Sequence, residues 1–112
     1  MFVIKEPQEL SFEKVGIKGK IFSMNGLVST MQFVLIETAT GHKTTIIEHQ
    51  SDFIYYILSG SGYFLINDIQ EACTQGDLVV IPKGTKFTYR GKLTMLLSCT
   101  PPWTEEQEET LS

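Results

Sequence analysis

Histidine is the residue type in this chain that is best suited to acid–base chemistry, and the chain contains only two, His42 and His49. An imidazole changes charge near neutral pH, so it can act as a general acid or base. His49 lies in a run of strand-forming residues, where alternation puts it on the same face as Ile47. His42 directly follows Gly41, and we expect it in a turn and away from any cavity. No G-x-S-x-G segment accompanies the histidines, so a serine nucleophile is not indicated.

The elements that must position these residues are short β-strands separated by turns. Gly, Asn and Asp mark the turns, as at Asn25-Gly26 and Gln75-Gly76-Asp77. Gly60 and Gly62 are expected to form a tight reversal between two inner strands. The predicted strands are Ile17–Ser23, Thr30–Thr38, Thr44–His49, Phe53–Leu58, Gly62–Ile66, Leu78–Ile81, Lys86–Arg90 and Leu93–Cys99. Regularly spaced short strands of this kind are typical of a sandwich or a barrel.

Two segments carry glycine, proline and strand residues at fixed spacings. From Gly41 the residues read G-HKTTI-I-E-H-QSD-F-IYYILS-G, and from Gly76 they read G-DLVVI-P-K-G-TK-F-TYR-G. This pattern resembles the two motifs of the cupin superfamily, and the match extends to Gly91. The resemblance implies an all-β fold, a small antiparallel cupin β-barrel of the double-stranded β-helix or jelly-roll type. We therefore predict one cupin domain over residues 1–112, with a core at about 15–100 and an acidic tail at 104–112.

The resemblance also locates the positions that bind metal in many cupins, and here these are Ile47, His49, Phe53 and Phe87. Only His49 has a metal-binding side chain, whereas a divalent metal needs several nitrogen or oxygen donors at one point. Asp52 lies beside the third position, but a one-residue offset directs it to the opposite face of the strand. We therefore predict no metal and no other cofactor.

The same register implies a ligand pocket on the inner face of the barrel. The predicted pocket residues are Ile47, His49, Phe53, Tyr55, Phe87 and Tyr89. Apolar walls with phenolic hydrogen-bonding groups suit a sugar or a flat organic ligand. The candidate catalytic residues are His49, as acid or base, and Tyr55. The alternative for His49 is a core histidine with a structural hydrogen bond.

Composition limits the partners. The net charge is -4, and the last nine residues contain four Glu and no base, which leaves nine acidic and nine basic residues elsewhere. Such a chain has no basic face for nucleic acid, and it has no apolar run long enough to span a membrane. Cys73 and Cys99 are isolated, which indicates free thiols and a cytoplasmic protein. The small size and apolar content favour a homodimer.

The function favoured by these observations is that of a metal-free cupin domain binding a small organic ligand in the barrel cavity. One alternative is a metal-independent isomerase, epimerase or cyclase that uses His49 as acid or base. Another is a structural or regulatory cupin whose cavity is filled by Phe53 and Phe87. Whether the chain is an enzyme stays open at this point, because a fold alone does not specify chemistry.

Overall fold

The chain folds into nine strands that form one curled antiparallel sheet. The computed structural model describes all residues, Met1–Ser112. The strands are β1 Phe12–Lys14, β2 Ile17–Ile21, β3 Gln32–Thr38, β4 Ile46–Glu48, β5 Asp52–Ile66, β6 Ile69–Thr74, β7 Leu78–Ile81, β8 Lys86–Thr100 and β9 Glu108–Thr110, with a short 3-10 helix at Glu105–Gln107. They pair in the order β1-β2-β3-β8-β4-β9, and β5 pairs with β6, β7 and β8. The predicted all-β class is confirmed. No helix is long and apolar enough to cross a membrane.

The two longest strands, β5 and β8, pair along their whole length and form the spine of the sheet. Gly60 and Gly62 therefore do not form the predicted reversal. They lie where β5 passes very close to β8, and a Cβ on Gly60 would lie 2.0 Å from the carbonyl oxygen of Lys92. Gly62 faces Gly91 across the strands. The glycines serve a close approach of two backbones, which residues with side chains would prevent.

A shift in strand register between Ile57 and Ser59 decides which side chains of β5 face the core. Before the shift, Phe53 and Tyr55 are buried, and after it Phe64 is buried. One extra residue in a strand reverses the facing of every later side chain, so the inward positions change from odd to even numbers. The rings of Tyr55 and Phe64 consequently meet at a centroid distance of 5.2 Å. The shift thus brings aromatic residues from both halves of β5 into one core.

The acidic segment predicted as a tail at 104–112 contains the short 3-10 helix and strand β9. Strand β9 pairs antiparallel with β4, and Glu48 faces Glu108 in this register. The backbone N–H of His49 donates to the carbonyl of Gln107 at 3.0 Å, and that of Leu111 donates to Thr45 at 2.8 Å. These bonds satisfy the free edge of β4, which would otherwise expose unpaired backbone groups. The end of the chain also brings Glu108 to the inner face of the sheet.

The two cysteines are both buried and free, which confirms the prediction of free thiols. Burial raises the pKa of the Cys99 thiol to about 12. A thiol with such a pKa is protonated at neutral pH and is a poor nucleophile. Cys99 therefore acts as a small apolar residue in the wall of the barrel.

Candidate functional site

A narrow apolar cavity opens on the inner face of the sheet. It has a volume of about 60 Å³ and is lined by 16 residues, of which 12 are hydrophobic. Strands β1, β2, β3, β4, β5 and β8 supply most of the wall, and Trp103 completes it from the segment before β9. The lining side chains with polar groups include Lys14, Gln32, His42, Tyr55, Tyr89 and Glu108. An apolar cavity with a few convergent polar groups is the usual form of a small-molecule site.

His42 lies in this cavity, held at its backbone by the edge of β8. Its N–H donates to the carbonyl of Tyr89 at 2.9 Å. Its carbonyl accepts hydrogen bonds from the Thr88 hydroxyl, at 3.1 Å, and from the Arg90 guanidinium. The side chain is only 6% exposed. Three hydrogen bonds to β8 therefore fix the backbone from which the imidazole projects.

The protonation state of His42 follows from its contacts. Nδ1 lies 2.8 Å from the carbonyl oxygen of Thr44, which can only accept, and 3.3 Å from the Thr44 N–H. We assign the proton of the neutral ring to Nδ1 because the contact with the carbonyl is the shorter of the two. Nε2 then has a free lone pair. Burial lowers the pKa of His42 below its ordinary value of 6.5, although the bond to Thr44 partly opposes this. His42 is therefore a neutral imidazole at neutral pH, with Nε2 available as a base.

Two tyrosines continue from His42 into the core. The ring centroids of His42 and Tyr89 are 5.5 Å apart, and those of Tyr89 and Tyr55 are 5.6 Å apart. Both tyrosines are buried, and the Tyr89 hydroxyl makes no hydrogen bond of normal geometry, although the Tyr55 hydroxyl lies near enough to affect its pKa. Burial raises the pKa of Tyr55 and that of Tyr89 well above the ordinary value. Both phenols stay protonated and can donate a hydrogen bond to an oxygen in the cavity.

A second polar group lies around Trp103. The indole N–H of Trp103 donates to Glu108 Oε1 at 3.2 Å, and Lys14 Nζ lies 4.7 Å from the centroid of the indole ring. Burial raises the pKa of Glu108, although Lys14 and Trp103 oppose the rise. The cavity also contains Gln32, whose side-chain oxygen is buried without a partner. The cavity thus has hydrogen-bonding groups in addition to His42 and the two tyrosines.

The structure does not place His49 in the cavity. Its Nε2 lies 2.8 Å from Glu109 Oε1 on the outer face, and the two side chains are 47% and 52% exposed. Ile47 is partly exposed and lies outside the cavity, whereas Ile46 and Glu48 are buried. The predicted phase of β4 is wrong by one residue, and in a strand such an offset exchanges the inner and outer faces.

The other predicted pocket residues divide into two groups. Phe53, Tyr55 and Tyr89 line the cavity as predicted. Phe87 is fully buried but packs in the core, where its ring stacks on Phe64 at a centroid distance of 6.4 Å. The prediction that Phe87 lines the pocket is therefore wrong, because its ring is covered by other aromatic residues.

His42 is the cavity residue that the sequence interpretation missed. We expected it in a turn and away from the cavity, whereas it lines the cavity beside Tyr89. Extending the inward phase of Ile46 and Glu48 backwards through even positions leads to His42. The alternation of side chains along the strand therefore indicated that His42 faces inward. The register taken from the cupin motif instead assigned the inner face of β4 to Ile47 and His49.

The positions that bind metal in many cupins do not form a donor set here. Ile47, Phe53 and Phe87 have no donor atoms, and His49 points outward to Glu109. No group of three or more His, Cys, Asp or Glu side chains is arranged to hold a metal ion. His42 is accompanied in the cavity by phenols and apolar side chains rather than by further metal ligands.

Comparison with known proteins gives structural relatives but no sequence family. No protein-family model matches the chain, and no curated protein matches it significantly. Among solved structures, Pac13, described as a unique nucleoside dehydratase, aligns with a TM-score of 0.85 and 26% identity, covering 96% of this chain and 89% of that chain. The Y89F variant of Streptomyces Pac13 with uridine aligns with a TM-score of 0.87 and 25% identity, covering 99% and 92%.

Other relatives extend the same result. The H42Q and Y55F variants of Streptomyces Pac13 with uridine align with TM-scores of 0.84 and 0.87 at 25% identity. Ectoine synthase from P. lautus aligns with a TM-score of 0.72 over 90% of this chain and 80% of that chain, and its 15% identity supports the fold alone. The chain is therefore a cupin-fold protein in which most of the motif's metal-ligand positions hold other residues.

Proposed function

We propose that this protein binds a nucleoside, or a closely related sugar derivative, and removes water from it with His42 as the base. The observation that carries the proposal is the buried His42, which contacts Thr44 through Nδ1 and packs edge-on against the ring of Tyr89. Pac13 is described as a nucleoside dehydratase. The residues replaced in its variants are a histidine and two tyrosines, with the same numbers as His42, Tyr55 and Tyr89 of this chain.

The first step of such a reaction is removal of a proton from carbon. A sugar C–H next to a carbonyl is acidic enough for an imidazole to act as general base, which contributes about 10²- to 10⁴-fold to the rate. The low pKa of His42 keeps Nε2 unprotonated at neutral pH. The apolar wall around it excludes water that would compete for the lone pair.

The second requirement is stabilisation of the negative charge that moves onto the carbonyl oxygen. Tyr89 and Tyr55 are protonated phenols in an apolar cavity. Donors fixed in such surroundings stabilise a developing oxyanion more strongly than water does. The Tyr89 hydroxyl has no hydrogen bond of normal geometry that this bond would have to replace.

The last requirement is a proton for the leaving hydroxyl group. The electron pair of the enolate re-forms a carbonyl and a carbon–carbon double bond, and the β-hydroxyl leaves with its bonding electrons. The protonated imidazole of His42 returns its proton to that oxygen, so the products are water, the unsaturated sugar derivative and neutral His42. One residue then completes the proton cycle without a net change.

The test compares His42→Gln with His49→Asn and the unchanged protein. Each is incubated with nucleosides and sugars that carry a carbonyl group, and loss of one water is followed by mass spectrometry. We expect His42→Gln to lose turnover while still binding uridine, and His49→Asn to behave as the unchanged protein because its ion pair is exposed. Turnover by His42→Gln, or its loss in His49→Asn, would contradict the assignment of the base. If the unchanged protein and both variants bind uridine but none of the three removes water from any compound, ligand binding alone is the function.

We also propose that the protein works without a metal, since the cavity lacks a converging donor set. We propose further that it is cytoplasmic, since Cys73 and Cys99 are free thiols, and that it forms a homodimer through an apolar outer face of the sheet.

A further inference from the structure

The Gln32 side chain presents a buried oxygen that the fold does not use. Its Oε1 atom is out of contact with solvent and accepts no hydrogen bond, although Gln32 lines the cavity. A buried carbonyl oxygen without a partner destabilises a folded protein. Groups of this kind in a binding cavity are explained when a ligand supplies the missing partner.

Gln32 and His42 lie towards opposite ends of the cavity. Gln32 is the first residue of β3, and Ile36, four residues later on the same strand, also lines the cavity. At about 3.3 Å per residue these two positions are about 13 Å apart. His42 follows the other end of β3, beyond Thr38. A ligand with its reacting part at His42 must therefore be elongated to reach Gln32.

The end of the cavity near Gln32 also contains an aromatic surface. Gln32 faces Cys99 across β3 and β8, and the backbone of Trp103 lies near enough to the Cys99 thiol to lower its pKa. Gln32 and Trp103 therefore flank the same residue of β8, and both line the cavity. An indole offers a flat apolar surface for a planar ring, and a primary amide offers a donor and an acceptor side by side.

We propose that the Gln32 amide recognises the edge of a pyrimidine base, with Trp103 packing against the ring, and so sets the base preference of the site. This inference rests on the proposed function, which places the sugar at His42. Oε1 accepts from the N3–H of uracil, and Nε2 donates to a neighbouring base carbonyl. Paired donor and acceptor contacts between an amide and a base edge are a common mode of base recognition.

The chemistry of Gln32 also defines what the site does not distinguish. Rotation of the amide by half a turn exchanges its donor and acceptor, so the reversed pattern of cytosine is matched as well. We therefore expect uridine and cytidine to bind with similar affinity.

The test measures binding of uridine, 3-methyluridine and cytidine by calorimetry to the unchanged protein and to Gln32→Met. Methionine has a similar length but cannot form the paired hydrogen bonds. We expect Gln32→Met to lose about ten- to a hundredfold in uridine affinity. The unchanged protein should prefer uridine to 3-methyluridine, which lacks the N3–H donor, and this preference should largely vanish in the variant. Gln32→Glu, which keeps the length but has no donor, should also weaken uridine binding.

Controls separate recognition from structure. The thermal midpoint of Gln32→Met without ligand should be unchanged or higher, because an unpartnered buried oxygen is removed. His42→Gln should retain the base preference, since it alters only the sugar end. An unchanged affinity for uridine in Gln32→Met, or an unchanged preference over 3-methyluridine, would overturn the role of Gln32 while leaving the proposed function intact. Failure of the unchanged protein to bind any of the nucleosides would overturn both proposals.

Discussion

The Tyr89 hydroxyl shows most clearly how a single residue can serve function at the expense of stability. The side chain is fully buried and its oxygen makes no hydrogen bond of normal geometry. We expect Tyr89→Phe to leave the free energy of unfolding unchanged or to raise it by about 1 kcal/mol, since the lone polar atom is removed. The same change should lower kcat about 10²-fold, because a donor to the oxyanion is lost. Denaturant unfolding and turnover measurements check both parts, and a less stable variant with full activity would contradict them.

The lowered pKa of His42 predicts how stability and activity change with pH. Its pKa is lowered by burial in the folded protein, so its protonated form is favoured in the unfolded chain. As the pH falls below the ordinary value of about 6.5, the protein should lose stability until the lowered pKa is passed. By contrast, kcat/KM should fall only at the lower end of this window, as the pH passes the lowered pKa of folded His42, because protonated Nε2 cannot accept a proton.

Chemical unfolding at several pH values checks the stability part, with His42→Gln as the control. Glu108 has a raised pKa, so its protonation favours the folded state as the pH falls and acts in the opposite direction. The difference between the unchanged protein and His42→Gln removes this contribution. An equal pH dependence in the two proteins would contradict a buried, neutral His42.

At the scale of elements, glycines in β5 and β8 determine how closely the long strands approach. Gly60 has a φ of +90°, and a Cβ there would lie 2.0 Å from the Lys92 carbonyl oxygen. Gly76 has a φ of +93° but nothing within 4 Å, so it is a matched control for backbone strain alone. We expect Gly76→Ala to cost about 1–2 kcal/mol and Gly60→Ala to cost clearly more or to prevent folding. Equal thermal midpoints for the two variants would contradict the close approach.

Elements also explain what could be predicted from the sequence. Turn residues and β-rich runs located most strands, because these signals are local. The phase of β4 could not be read reliably, since a short strand with Ile46 and Ile47 side by side offers an apolar residue to either face. The choice of the wrong phase moved His49 inward and His42 outward. Strand β9 escaped prediction because its charged residues resemble a solvated tail, and only pairing with β4 makes them part of the sheet.

At the scale of the whole molecule, an apolar surface lies on the outside of β5 and β7. Tyr56 pairs with Leu78 and Ile54 pairs with Val80 across the two strands. Leu78 and Val80 are 60% and 55% exposed, and Leu58 continues the surface at 40%. Adjacent exposed apolar residues of this kind are typical of an interaction site. This surface lies on the face of the sheet opposite to the cavity.

We expect two copies of the chain to associate through this surface, because a small domain buries a modest fraction of its apolar area by itself. Sedimentation at micromolar concentration should find a dimer, and Val80→Lys should produce a monomer, since a charge at the centre of the interface cannot be solvated there. Uridine affinity should not change in Val80→Lys, because Val80 does not line the cavity. A monomer in the unchanged protein, or a dimer that persists in Val80→Lys, would contradict association through this face.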